Sequence, residues 1–110
     1  MKNTIEIIKE FAQQVKEILG ENLVQVILYG SYARGDYREN SDIDIMILTR
    51  LTDQQIEQIE NRIYDLAFDF QMEYFIDISV VIKNEEQFNY WLGALPFYDN
   101  VKKEGVVLNG

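Results

Sequence analysis

The sequence predicts an α/β (α+β) fold in which one small mixed β-sheet is flanked by helices. Three β-rich apolar runs alternate along the 110 residues with stretches whose apolar residues recur at helical spacing. A single proline, six glycines and the lack of any internal repeat predict one domain over residues 1–110. The strand order stays open, because the twelve-residue link between the first two runs suits either a crossover or an antiparallel return.

The first predicted element is a helix that begins at Asn3, whose spacing to Glu6 is typical of a capping box, and ends at Gly20. A first strand follows over residues 24–29. The apolar stripe of the helix consists of Ile5, Ile8, Phe11, Ala12, Val15, Ile18 and Leu19.

A short turn of helix is expected after Gly30, and a second strand over residues 42–49. Thr52 and Gln55 form the capping pair of a second, long helix. Its apolar stripe consists of Ile56, Ile59, Ile63, Leu66, Ala67 and Phe70.

The last third of the chain predicts a strand and two short helices. The strand covers residues 75–82, which are rich in Ile and Val. Asn84 with Gln87 indicates a helix start, and Pro96 and Gly105 bracket the final helix.

Composition limits the chemistry available to the chain. Nineteen acidic and ten basic residues give a formal charge of −9, which disfavours direct nucleic-acid binding but permits nucleotide binding through divalent cations. The chain has no cysteine and no histidine, so thiolate sites, imidazole zinc sites and histidine-based triads are excluded. Any bound metal ion must then have oxygen ligands, which favours Mg²⁺, Mn²⁺ or Ca²⁺. With no signal-like or membrane-length apolar segment, we expect a cytoplasmic protein that does not bind membranes.

Three aspartates are candidate metal ligands. Strand alternation puts Asp42 and Asp44 on one face, and that face continues with the apolar residues Met46 and Leu48. Asp77 lies in a similarly apolar run and would project beside them if the two strands are neighbours. Three such carboxylates with two Mg²⁺ ions would form a phosphoryl-transfer site. The alternatives are a solvated strand face for the first pair and a structural ion pair with Arg or Lys for Asp77.

The turn that precedes these aspartates contains Gly30, Ser31 and Arg34. Glycine at a strand end allows close approach of a phosphate, and Ser31 is expected to cap the short helix after it. Arg34 is the basic residue best placed to meet a triphosphate, with a surface cation as the equal alternative; Arg38 and Lys83 are weaker candidates. Gly-Ser alone is a weak signal, but its combination with Asp-x-Asp ten residues later is a strong one.

These residues resemble the nucleotidyltransferase superfamily that includes DNA polymerase β and the kanamycin nucleotidyltransferases. Gly30, Ser31, Asp42 and Asp44 lie within GSYARGDYRENSDID, and Asp77 in FIDISVVI matches the third carboxylate of that family. The length of the chain and its C-terminal stretch LPFYDNVKKEGVVL are most similar to the minimal nucleotidyltransferases (MNT), which implies a polymerase β-like palm fold.

The resemblance implies a role for each site residue. Gly30 and Ser31 would bind the phosphates of a nucleoside triphosphate. Asp42 and Asp44 would hold two Mg²⁺ ions (Mn²⁺ being possible), and Asp77 would assist them and activate the acceptor hydroxyl. The reaction would transfer NMP, AMP from ATP being favoured, to a hydroxyl with release of pyrophosphate.

Minimal members of the family resemble the antitoxins of two-gene modules, in which the partner is a small helical HEPN protein. The resemblance therefore implies an antitoxin that adenylylates a HEPN-type toxin. Two alternatives stay open: a catalytically idle module that neutralises its partner by occlusion, and a transferase acting on a small molecule such as an aminoglycoside. A homo-oligomer also remains possible, and the nucleotide base, the acceptor and the need for a partner are not determined by the sequence.

Overall fold

The computed structural model describes residues 2–38 and 41–108. It contains a mixed α/β arrangement, as predicted, with a 3₁₀ turn at Gly20–Asn22 after the first helix. The helices are α1 (Thr4–Leu19), α2 (Ser31–Arg34), α3 (Asp53–Tyr74), α4 (Glu85–Trp91) and α5 (Pro96–Glu104). The strands are β1 (Leu23–Tyr29), β2 (Ile43–Thr49), β3 (Ile78–Asn84) and β4 (Val106–Val107).

The predicted helix starts are confirmed by their capping hydrogen bonds. The Asn3 side chain accepts a bond from the Glu6 N–H at the start of α1. Thr52 and Gln55 form a complete capping box at the start of α3, and Asn84 caps α4. Local side-chain chemistry thus fixes where these helices begin.

The four strands form one mixed sheet in the order β3-β2-β1-β4. The link between β1 and β2 is an antiparallel return, with Tyr29 opposite Asp44. β2 and β3 are parallel and are joined by α3, while β4 adds an antiparallel pair on the outside of β1. The predicted small mixed sheet flanked by helices is therefore confirmed.

Two apolar layers cover the two faces of the sheet. On one face, α1 and α3 pack against β2, and the rings of Phe11 and Phe70 meet edge to face at 5.5 Å between centroids. On the other face α4 and α5 contribute to a smaller cluster, whose buried members are Ile27, Met46, Leu48, Phe88, Tyr98 and Val101.

Two strand starts next to the predicted aspartates, and the exposure of one residue in α1, differ from the sequence prediction. β2 begins at Ile43 and β3 at Ile78, so Asp42 and Asp77 stand just before their strands. β3 starts late because Phe75, with φ of 55°, takes a left-handed conformation that ends α3 and is incompatible with a strand. Ile5 is half-exposed although it lies on the predicted apolar stripe of α1.

Within the part of the chain that the structure describes, no helix combines the length and the apolar character that crossing a bilayer requires.

Candidate active site

Three aspartates lie at one edge of the sheet, where β2 and β3 begin. Asp42 immediately precedes β2, and Asp77 immediately precedes β3. The Ile43 N–H donates a hydrogen bond of 2.8 Å to the Asp77 carbonyl oxygen, and the parallel register sets Ile43 beside Ile78. When the alternation of β2 and β3 is continued one residue back, Asp42 and Asp77 are assigned to the same face of the sheet as Asp44. We call these three residues the carboxylate edge.

The charge of Asp44 is unfavourable in its surroundings. Partial burial raises the pKa of its carboxyl group, and the negative charge of Asp42 raises that pKa further. The positive charge of Arg34 acts in the opposite direction. A cation bound beside Asp42 and Asp44 would relieve this repulsion, so the electrostatics of the pair suit a metal site.

The available donor atoms also fit a hard cation. Since the sequence has no cysteine or histidine, the available side-chain ligands for a metal ion are oxygen atoms, which Mg²⁺ and Mn²⁺ prefer. Across residues 2–38 and 41–108, however, no group of three or more carboxylates is positioned to hold a metal ion. The three side chains therefore do not form a ligand set as they stand. What the backbone does provide is a common face and edge.

Gly30 is the residue whose lack of a side chain matters most to this edge. It has φ of 73° and ψ of −154°, a combination that is essentially restricted to glycine. A Cβ atom built on Gly30 would overlap the carboxyl group of Asp44. The chain turn and the carboxylate therefore approach each other as closely as they do only because this position is glycine.

The short helix α2 corrects one expectation. Ser31 is its first residue rather than its cap, because Gly30 occupies the N-cap position, and among the described residues no side chain caps this turn. The carbonyl oxygen of Ser31 accepts hydrogen bonds from the N–H groups of Gly35 and Asp36, at 2.9 and 3.2 Å. Ser31 directly follows Gly30, the glycine whose backbone closely approaches Asp44.

Arg34 makes ion pairs that its sequence position did not suggest. Its guanidinium donates to Asp36 at 3.2 Å and to Glu104 at 3.1 Å. Glu104 lies 70 residues away, at the end of α5, so no local pattern could have identified it. Arg34 would have to exchange these partners to contact a triphosphate.

The two weaker basic candidates have different positions. Lys83 pairs with Leu48 near the far end of β3. Six residues of strand, about 20 Å, separate it from Asp77, so Lys83 is remote from the carboxylate edge. Arg38 is exposed, and its backbone N–H donates to the Ser41 hydroxyl at 2.8 Å, just ahead of Asp42.

Tyr29 and Phe97 flank the edge. Tyr29 is the cross-strand partner of Asp44, and its ring meets that of Phe97 edge to face at 5.7 Å. Burial raises the pKa of Tyr29, and the charge of Asp44 adds to that effect. Phe97 belongs to α5, so its position beside Tyr29 depends on the docking of that helix.

A cavity of about 390 Å³ lies elsewhere on this face. It is lined by residues of β1, β2, α4 and α5 with Gly105 and Val107, among them Leu48 at the far end of β2, and contains none of the predicted site residues. The candidate site is therefore the open carboxylate edge rather than this cavity.

Known proteins are similar in sequence to this chain over most of its length. Residues 8–107 match the family model for the nucleotidyltransferase domain. In Methanocaldococcus jannaschii, "Putative protein adenylyltransferase MJ0604" is 37% identical over 106 residues, covering 96% of this chain and 98% of its own. "Putative protein adenylyltransferase MJ0141" from the same organism is 44% identical over 78 residues, covering 71% of this chain and 77% of its own.

Solved structures share the fold. A toxin–antitoxin crystal structure with AMP-PNP superposes with a TM-score of 0.58 at 21% identity, covering 98% of this chain and 74% of that one. At that identity the likeness speaks for the fold alone, whereas the family match extends over nearly the whole sequence. The chain belongs to the nucleotidyltransferase domain family and is a nucleotidyltransferase.

Proposed function

We propose that this nucleotidyltransferase transfers AMP from ATP to a hydroxyl group of a protein, with divalent metal ions, and that the acceptor is a HEPN-type toxin. The observation that carries the proposal is the carboxylate edge: three aspartates on one face of the sheet, beside the turn at Gly30. The names of the two archaeal relatives support a protein as acceptor. The toxin–antitoxin context of a structural relative supports the antitoxin role.

Asp42 and Asp44 are the proposed holders of the metal ions, with Asp77 as a further ligand. The raised pKa of Asp44 supports this assignment, because a cation stabilises the ionised carboxylate that burial and Asp42 disfavour. A bound pair of Mg²⁺ ions, or Mn²⁺, would neutralise charge on the attacking and leaving oxygens.

The reaction is an in-line displacement at the α-phosphorus of ATP. The acceptor oxygen forms a bond to the α-phosphorus, the bond from that phosphorus to the bridging oxygen breaks, and pyrophosphate leaves. Asp77 is the proposed general base that takes the hydroxyl proton, since it is exposed at the same edge. No covalent intermediate with the enzyme is required, so Ser31 has no nucleophilic role.

Gly30 and Ser31 are the proposed contacts for the phosphates. Gly30 leaves room for close approach, and Ser31 is half-buried next to it. Arg34 is the proposed contact for the outer phosphates, after release from Glu104 and Asp36. Its side chain is exposed, so this exchange of partners costs little.

The experiment is label transfer in lysate of the source cells. Purified protein is added with Mg²⁺ and either α-labelled or γ-labelled ATP, and the same is done with GTP, CTP and UTP. The inactive variant is Asp42→Asn/Asp44→Asn. The matched control is Glu17→Gln/Glu21→Gln, which removes two negative charges from an exposed region away from the edge.

The proposal expects one protein band labelled from α-labelled ATP by the wild type and the Glu17→Gln/Glu21→Gln variant only. Label from the γ-position would indicate a kinase and refute the mechanism. Absence of labelled protein, with the toxin confirmed present, would favour a module that acts by occlusion. Labelled small molecules in place of protein would favour the aminoglycoside-type alternative.

A further inference from the structure

The outer side of α3 carries an apolar stripe that this chain leaves uncovered. Tyr64, Phe68 and Met72 follow one another at intervals of four residues, so they lie along one side of the helix. Phe75 follows at the C-terminal cap. Their exposed fractions are 40%, 59%, 63% and 92% in chain order. We call these four residues the α3 stripe.

The size of the α3 stripe is that of the largest apolar patch on a typical monomeric protein. With about 200 Å² for a fully exposed side chain of this size, it presents roughly 500 Å² of surface. The largest apolar patch of a typical monomeric protein measures about 300–600 Å², and such patches are often functional. The buried face of α3, which includes Ile63 and Ala67, already packs on the core, so the stripe is a second apolar surface.

Phe75 is a second, independent sign of an interaction surface. It is the one non-glycine residue with positive φ in the described ranges 2–38 and 41–108. Such a conformation is uncommon for a bulky residue, and glycine or asparagine usually stands at this cap position. Neither burial nor a ring contact within the chain explains an aromatic here, because its side chain is almost wholly exposed. Contact with another molecule would explain it.

The charges around the α3 stripe specify the partner. The sequence of α3 contains six acidic residues and a single arginine. Asp65, Asp69 and Glu73 lie at helical spacing along one flank of the stripe. A second copy of this chain would bring two such acidic helices together, which Coulomb repulsion disfavours, whereas a basic surface would be attracted.

The position of the α3 stripe relative to the carboxylate edge is also informative. α3 packs on the face of the sheet that bears Ile43, opposite the face of Asp44. A partner bound there leaves the carboxylate face open. The stripe ends at Phe75, two residues before Asp77 in the sequence.

We propose that the α3 stripe docks a protein partner whose apolar contact region is ringed by lysine and arginine. This inference goes beyond the proposed function, because binding uses none of the carboxylate-edge residues and requires no reaction. It assigns the partner to the helix behind the sheet and not to the catalytic face.

The test uses the full chain and a defined probe. The probe is a synthetic 20-residue amphipathic helical peptide with a leucine stripe and lysine flanks. Comparison peptides replace the lysines by glutamates or scramble the stripe at constant composition. Affinity is measured by fluorescence anisotropy at low and high salt. The protein variants are Phe68→Ser/Met72→Ser, the charge reversal Asp65→Lys/Asp69→Lys, and the control Tyr90→Ser on α4, also an exposed aromatic.

We expect the lysine peptide to bind the wild type and the Tyr90→Ser variant equally, and the Phe68→Ser/Met72→Ser variant at least tenfold more weakly. High salt should weaken binding, and the charge reversal should shift preference to the glutamate peptide. All substituted residues are exposed, and circular dichroism checks that the variants are folded. Equal binding by all variants, or of the scrambled peptide, would overturn the proposal. So would a wild-type dimer that Phe68→Ser/Met72→Ser dissociates, because the occupant would then be a second copy.

Discussion

Replacing Gly30 by alanine tests the close approach on which the geometry of the site depends. Two costs add in the Gly30→Ala variant. The backbone conformation, with φ of 73° and ψ of −154°, costs an alanine about 1–3 kcal/mol. The new Cβ also overlaps the carboxyl group of Asp44, and relieving such overpacking costs about 1–3 kcal/mol more. The expected loss is their sum, about 2–6 kcal/mol in the free energy of unfolding, or roughly 10–25 °C in Tm.

The matched control is Gly35→Ala. Gly35 also has positive φ, at 83°, but among the described residues no atom lies within 4 Å of the Cβ that alanine would add. Its expected cost is therefore the backbone term alone, about 1–2 kcal/mol. Urea unfolding of both variants, followed by circular dichroism without nucleotide or metal, gives the difference caused by the overlap with Asp44.

A double variant identifies the source of that difference. In Gly30→Ala/Asp44→Ala the overlapping carboxyl group is gone, so the two substitutions together should cost less than the sum of their separate effects. If Gly30→Ala were no more destabilising than Gly35→Ala, or if the double variant were simply additive, the steric argument about Gly30 would be refuted.

Two further predictions concern charge and burial. In metal-free protein, Asp44→Asn should raise stability at neutral pH. The folded-state pKa of Asp44 is raised, so wild-type stability falls as the pH rises from the ordinary carboxylate pKa to the raised one. The asparagine variant does not ionise and therefore does not lose this stability. Urea unfolding of both proteins from pH 3 to 8, with a chelator present, measures the difference in their free energies of unfolding. If the asparagine variant were more stable by the same amount at the acidic end, the raised pKa of Asp44 would be contradicted. Ile8→Ala should cost ~2–5 kcal/mol because Ile8 is fully buried, and Ile5→Ala should change stability by no more than about 0.5 kcal/mol because Ile5 is half-exposed. Thermal melts compare the two, and equal losses would be inconsistent with the packing of α1.

Local chemistry explains which parts of the fold the sequence could predict. The capping residues Asn3, Thr52 and Asn84 act on backbone groups two or three residues away, so the helix starts can be predicted from short stretches. Helical periodicity predicts which side of the helix a residue lies on. It does not predict whether a neighbouring element extends far enough along the helix to cover that residue. That is why Ile5 matched the apolar stripe of α1 and is nevertheless half-exposed.

Contacts between distant segments account for what the sequence could not provide. The ion pair between Arg34 and Glu104 requires the docking of α5 beside α2, and the short strand β4 exists only because β1 offers it an edge. For the site, the spacing of Asp42 and Asp44 predicted a shared face, and Asp77 joined them only on condition that β2 and β3 were neighbours. The parallel register supplies that condition, but among the described residues the three carboxylates do not form a ligand set.

The hydrogen bond from the Ile43 N–H to the Asp77 carbonyl has a consequence for evolution. It sets the distance between the two strand entrances through main-chain atoms, which every amino acid except proline can supply at the position of Ile43. Substitutions among the apolar residues of β2 and β3 leave this spacing intact as long as the strands still pair. The apolar residues of β2 and β3 can therefore change during evolution while the positions of the carboxylates at the strand entrances are kept. Gly30 has no such freedom, because there the backbone meets the Asp44 side chain directly.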